Sequence, residues 1–463
     1  MAKSPLSTLT KRAEQQDVSR RALIKWTVAA GAALGVSRSR VFEILEKTAG
    51  TGVAFAASAA PTARSVHCVM GNGGLAWTRQ LWPDPDIGLA NNPNLAYAYP
   101  GTAQLVGGTV RPLVAGVATP WANLPAARQV TGFVMGQNQT HTNEPDTVEN
   151  LNGANIFAIA SALQSVSPSV VPIISIDQSI GAAQGSQQPA AVRDANAIVG
   201  LFNSAASRAG GLLANPANAV LYKAQFEAFA QLNRAANRPT TRSSYTTATS
   251  AAGFLGTNLE EKLRITAEDL SRYGIDGGTR GNVAEIGRTL IVAVKAFKFG
   301  LTNSIVFPGM RDDPHGAFDD GSASVVPMQL KKVLDAFMAD LTANVDDNTG
   351  ETLADTTVIT FHGDTPKSAT DPGGWPDGSS QNHNRVIVYS AGHIKSGWFG
   401  EVKRDDSVRG FDGSGALVAY NGTNAARFGL AAIAYAIAKR DDRAISAFAN
   451  GVNIGGLVNP KVT

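Results

Sequence analysis

Cysteine is all but missing from this sequence. Cys68 is the only one in 463 residues, so no intrachain disulfide can form and no cysteine-based zinc site can be built. Set in the apolar run VHCVM, it has the surroundings of a small core residue more than those of a reactive thiol. A basic excess in the body is also absent. The net charge of +3 hides a split: residues 1–60 hold nine of the 40 Lys/Arg and four of the 37 Asp/Glu, leaving 31 basic against 33 acidic residues beyond them. Nothing there argues for nucleic acid as a partner. No transmembrane helix is expected in the body, and GxSxG, P-loop and HExxH patterns are all lacking.

What is present is ordinary globular material, 44% hydrophobic and 17% charged, behind an unusual start. The stretch SRRALIK (Ser19 to Lys25) resembles a twin-arginine export signal. WTVAAGAALGV follows, too short to span a membrane stably but suited to a signal h-region. Small residues then gather in AFAASAAP, after the charged segment SRSRVFEILEK. The expectation is an export leader over 1–60, the twin-arginine translocase as partner during export, and a periplasmic or extracellular destination. A disulfide-free body suits a route that carries proteins already folded.

Beyond residue 60, buried strands alternate with helical spacing. ARSVHCVMGNGG reads as a strand running into a glycine turn, and QVTGFVMG and VVPIISID as two more. NGANIFAIASALQS lies between the last two with helical periodicity. From about 185 to 300 the character turns helical, with AAVRDANAIVGLFNSAASRAG, AVLYKAQFEAFAQLNRAAN, NLEEKLRITAEDLSRYG and AEIGRTLIVAVKAFKFG in succession. Strands resume at LTNSIVFPG, DTTVITF and NRVIVYS, with helices PMQLKKVLDAFMADLTAN and AARFGLAAIAYAIAKR around them. The expected fold is α/β: one domain over 61–463, a mostly parallel central sheet flanked by helices, and a helical insertion or layer.

Three loops after strands hold the chemistry-bearing residues, where open α/β sheets bind ligands. RDDPHGAFDDG carries Asp313 and His315, HGDT carries His362 and Asp364, and QNHNR carries His383. Mixed oxygen and nitrogen donors without thiolate suit zinc, manganese or calcium. Polar loops also gather Asp, His and Gly for turn formation, so either origin stands. His141 follows another strand, as a substrate contact or a loop hydrogen bonder. His67 has the setting of a core histidine and His393 that of a loop residue. The glycines of GNGG (71–74) would let backbone approach an anion closely.

The leader, the strand ending in GG, the DPH loop and LDAFMADL…LADTTVITFHGDTPK…NHNRVIVYSAGHIKSGWFGEV together resemble the domain-of-unknown-function family 1501. That family consists of exported proteins in the alkaline phosphatase/sulfatase-like superfamily. The similarity is most specific over about 305–402, looser over 61–180, and one of character alone in the helical middle. The resemblance implies divalent metals at strand ends and transfer of phosphoryl or sulfuryl groups. Its Asp-x-His loop falls on Asp313 and His315, and its histidine before the late strand on His383. Its Glu-Phe-Gly-Arg-Thr-Pro segment falls on Phe361 to Pro366, where the glutamate is lost and His362 and Asp364 are new. Its Gly-Gly-Pro-Ser-His-x-Asp loop is matched by GGLAWTR, so Ser, His and Asp give way to Ala76, Trp77 and Arg79. Thr78 is then the nearest hydroxyl.

Two functions follow as expectations. One is a metal-dependent hydrolase of phosphate or sulfate esters with an altered site. Asp313, His315, His362, Asp364 and His383 would be its metal ligands, Arg79 and His141 would meet a small anionic substrate, and the nucleophile is unassigned. The other is a non-catalytic exported protein, a pseudoenzyme using the same scaffold for binding or assembly.

Overall fold

In the computed structural model, residues 62–90, 104–108, 110–137, 141, 150–165, 167, 169–202, 258–347, 349–449 and 451–460 are described. The expected leader lies outside them, as does AVLYKAQFEAFAQLNRAAN. The chain divides into two units. The larger comprises Ala57–Ser167, Val171–Val199 and Leu263–Thr463, and it holds the sheet. Of the smaller, the described residues are 169–170, 200–202 and 258–262.

Eight strands form the central sheet: β1 (Arg64–Met70), β2 (Thr131–Val134), β3 (Ile173–Ile176), β4 (Ala190–Val192), β5 (Ser304–Pro308), β6 (Thr357–Gly363), β7 (Arg385–Tyr389) and β8 (Gly397–Phe399). Their order is β8-β2-β7-β6-β1-β5-β3-β4. Seven run the same way; β7 alone is antiparallel to both its neighbours, β6 and β2. The architecture is therefore α/β with a mostly parallel, mixed sheet. One consequence matters for function: the loops after β1, β2, β5 and β6 all leave from a single edge, the carboxyl ends of the parallel strands.

Helices surround the sheet: α1 (Trp77–Leu81), α2 (Ile156–Gln164), α3 (Ala195–Phe202), α4 (Ala267–Tyr273), α5 (Gly281–Lys298), α6 (Ser322–Ala343), α7 (Gly422–Ile437) and α8 (Asp442–Ala449). Alternation along β1 and β6 sends side chains to opposite faces. Val69 and Val358 join Phe157 of α2 and Leu430 and Ile433 of α7 in one apolar core. Phe361 goes the other way, onto Trp82 and Trp121, and the Trp121 indole donates to Leu334 O in α6. A small sheet of β9 (Glu401–Val402), β10 (Val408–Phe411) and β11 (Leu417–Ala419) follows β8.

Two sequence expectations need correction. AAVRDANAIVGLFNSAASRAG does not begin as helix, because Ala190–Val192 pairs with β3 as the edge strand before α3 starts. NLEEKLRITAEDLSRYG is not one helix either. Thr266 caps α4 in a box with Asp269, each side chain bonded to the other's backbone, which starts a new helix there. Among the described residues, no helix is long and apolar enough to cross a membrane.

Candidate metal centre

Four side chains from three strand-end loops meet at the carboxyl edge. His141 comes from the loop after β2, Asp313 and His315 from that after β5, and Asp377 from that after β6. One ligand atom from each lies within 4.8 Å of all the others, so the group could hold a metal ion. The histidine Nε2 atoms face the Oδ2 atoms of both carboxylates. His141 Nε2 is 2.9 Å from Asp377 and 3.3 Å from Asp313; His315 Nε2 is 3.6 and 3.5 Å from the same atoms. Tetrahedral donors with bonds of about 2.0–2.2 Å stand roughly 3.3–3.6 Å apart, so three of these four spacings fit closely and the fourth is slightly short.

The outward nitrogens are pinned. His315 Nδ1 lies 2.7 Å from Gly374 O, a carbonyl that can only accept, so Nδ1 donates and the ring is held with Nε2 turned inward. His141 Nδ1 faces Asn72 Oδ1 at 3.2 Å. For His315 this is the arrangement of a ligating imidazole, which ordinarily donates its other N–H to an oxygen. His141 Nε2 donates to Asp377 Oδ2 and would have to give up that proton to ligate.

At the centre lies a residue that the motif reading passed over. Lys367 is fully buried, and its Nζ is 2.5 Å from Asp313 Oδ1 and 2.9 Å from His315 Nε2. It also donates to Asp377 Oδ1. Burial would raise the Asp377 carboxyl, but the bonds from Lys367 and His141 outweigh it and hold the group below its ordinary range. Gly73 fits against this cluster only because it lacks a side chain. Its φ is +82°, and a Cβ there would stand 3.2 Å from both Asp313 Oδ1 and Lys367 Cε.

The GNGG turn does hold an anion, and the anion is the chain's own. Asp364 accepts from the backbone N–H groups of Asn72 and Gly73, each at 3.1 Å. Burial pushes its carboxyl up to about 6, against the pull of those amides and of His141. Asp364 is thus no member of the ligand cluster; it fixes the turn whose Asn72 meets His141.

His362 and His383 also lie elsewhere. Strand alternation points His362 into the core, where Nε2 is 2.5 Å from Thr360 Oγ1 and the ring meets Phe157 edge-on. Burial lowers its pKa to about 3. His383 Nδ1 donates to Ser380 O at 2.9 Å, and Nε2 accepts from Arg79 Nη2 at 2.8 Å. Its ligating lone pair is therefore occupied. Burial first, and then Arg79, lower it to about 3 as well.

Arg79 is closed to any substrate. It is wholly buried, donating to Pro366 O and pairing with Asp84 at 2.6 Å. His141, expected to touch substrate, stands with the ligand group. Thr78 Oγ1 is buried and donates to Leu75 O, and burial pushes the Cys68 thiol up. His393 Nδ1 accepts from Arg440.

Sequence reasoning missed Asp377 and Lys367. Asp377 looks like one more turn former in SATDPGGWPDGSS, and Lys367 is an ordinary lysine after a proline. The usable signal was position, since both lie on the loop leaving β6. No family model, no curated protein and no solved structure matches the chain.

Proposed function

We propose that this protein is an exported, divalent-metal-dependent hydrolase of phosphate or sulfate esters, with His141, Asp313, His315 and Asp377 holding one ion. The scaffold assigned to it is that of the alkaline phosphatase/sulfatase-like superfamily, on the strength of the sequence segments that resemble family 1501. The observation that carries the proposal is the orientation of the two imidazoles, with Nε2 inward beside two carboxylates and Nδ1 held by an oxygen outside.

Two nitrogen and two carboxylate donors suit zinc or manganese better than calcium, which takes six to eight oxygens. Such an ion would polarise a phosphoryl or sulfuryl oxygen and acidify a bound water. The chain's own part is to orient the donors. Gly374 O and Asn72 fix the imidazoles, Lys367 holds the inner carboxylate oxygens, and Asp364 secures the turn bearing Asn72.

The test is metal content of the full chain purified without chelator, together with turnover of p-nitrophenyl phosphate and sulfate. Near-stoichiometric zinc or manganese, and metal-dependent turnover, both lost in Asp377→Asn, are expected. A folded wild type that takes up neither metal overturns the reading. One observation favours a non-catalytic binding protein instead: the ammonium of Lys367 already compensates both carboxylates. A folded wild type without metal, or stoichiometric metal without turnover of either ester, would select that second reading.

A further inference from the structure

Lys367 and a divalent ion compete for the same atoms. We infer that Lys367 is the resident cation of the cluster, and that a divalent ion enters only by exchange with its ammonium. This rests on the metal reading above. The decisive atom is His315 Nε2. His315 Nδ1 donates to Gly374 O, and Lys367 Nζ, which can only donate, stands 2.9 Å from Nε2, so the one remaining ring lone pair accepts from the ammonium. One lone pair cannot both accept that hydrogen bond and bind a metal.

Distance gives the same result. An ion bonded to His315 Nε2 at about 2.1 Å stands within roughly 5 Å of Nζ where it now lies. The ammonium there is wholly buried, where a second cation is poorly screened. Lys367 touches three of the four ligand residues, Asp313, His315 and Asp377. Its ion pairs also hold a bent loop, since Thr365 and Lys367 both take left-handed backbone, at φ 39° and 60°. Exchange therefore withdraws the ammonium toward solvent and relaxes that segment of the loop.

The consequence is control of occupancy by metal supply. With little metal, the lysine keeps the two carboxylates compensated and the fold intact. With ample metal, the ion replaces it and the donors turn to coordination.

The experiment uses the full chain and two probes. Zinc and manganese are titrated into wild type, Lys367→Met, Lys367→Gln and Lys367→Arg. In parallel, acetylation of Lys367 is followed by mass spectrometry with and without zinc. Removing the charge, in Met or Gln, is expected to tighten metal binding about tenfold or more, and Lys367→Arg is expected not to. In wild type, Lys367 is expected to resist acetylation without zinc and to become labelled once zinc saturates the site. Two results overturn the inference while leaving the metal site standing: neutral variants that bind no tighter than wild type, or a Lys367 that stays protected in the zinc-saturated protein. If neither wild type nor the neutral variants bind metal, the site itself is refuted and the exchange with it. Should Lys367→Met fail to fold, Lys367→Gln and wild-type labelling decide the matter.

Discussion

Mild acid should unfold this protein, and histidine rather than carboxylate should be the cause. Four of its six histidines are held neutral by burial, three of them fully inside and His393 half-buried. Burial lowers His362 and His383 to about 3 and His393 to about 4, and drives His67 well below its ordinary 6.5. A depressed folded-state pKa means that the unfolded chain binds more protons between the two values. Each group's stabilisation is thus complete above the unfolded pKa near 6.5 and is lost as pH falls below it. At pH 5 the loss is about 1.5 pK units, or about 2 kcal/mol, for each of His362, His383 and His393. These three together give about 6 kcal/mol, with His67 acting in the same direction, against a typical total stability of about 5–15 kcal/mol. Urea unfolding followed by tryptophan fluorescence at about pH 7, 6 and 5 should show the midpoint falling steeply. His383→Gln, whose side-chain oxygen can still accept from Arg79, should remove about 2 kcal/mol of the change between pH 7 and pH 5. An unchanged midpoint from pH 7 to 5, or a His383→Gln variant as acid-sensitive as wild type, would refute the reasoning.

Three further substitutions test the supports of the metal centre. Asp364→Ala leaves two backbone N–H groups of the 71–74 turn without their acceptor; a stability loss of about 1–3 kcal/mol and metal affinity about tenfold weaker are expected in denaturant and zinc titrations. Gly74→Ala puts a Cβ 2.2 Å from Met310 O, forcing the loop that carries Asp313 and His315. Calorimetry should show a loss of about 1–3 kcal/mol, with metal binding weakened alongside. Trp375 is fully buried, edge-on to Trp77 and to Phe318 at ring separations of 6.0 and 5.1 Å. Trp375→Ala should cost about 3–5 kcal/mol in the same assay and loosen Asp377 two residues on.

The sheet was legible because its strands are short apolar runs ending in glycine or polar turns. RSVHCVM, IISI, SIVFP and RVIVY all stand where periodicity put them. The edge strand AAV was not, since three small residues carry no period, and pairing with β3 decides their conformation. At the site, sequence alone located the loops better than the ligands. His362 looked like a strand-end donor, yet it is still within β6, where the period of two turns it into the core. His383 was placed by its strand-end loop and by resemblance, yet its Nε2 is taken by Arg79, 304 residues away in the chain. Asp364 and Asp377 are both acidic residues of one loop. Only the fold tells that one binds backbone amides and the other faces two imidazoles.

The same geometry bears on how an ester would be cleaved. In the superfamily proposed above for this chain, the group-transferring members would use a Ser, Thr or modified Cys nucleophile, and others use the metals for isomerisation. Here Ala76 stands where that pattern has its serine, the Thr78 hydroxyl is buried on Leu75 O, and Thr365 Oγ1 is buried and accepts from His141 N. Cys68 is also buried, on a strand. These groups are closed to a substrate outside, whereas His141 and His315 are partly open to it. With those three side chains closed, we propose direct attack by water as the route of hydrolysis at such a site, with no group handed first to the protein. The two routes differ in what an added alcohol does. A covalent intermediate passes its phosphoryl group to Tris or glycerol, giving a phosphorylated alcohol in proportion to the acceptor, while direct attack yields inorganic phosphate alone. Phosphorus NMR of p-nitrophenyl phosphate turnover in high Tris should therefore show only inorganic phosphate. A phosphorylated Tris product would mean that a side chain other than Thr78, Thr365 or Cys68 acts as nucleophile, and would refute direct attack.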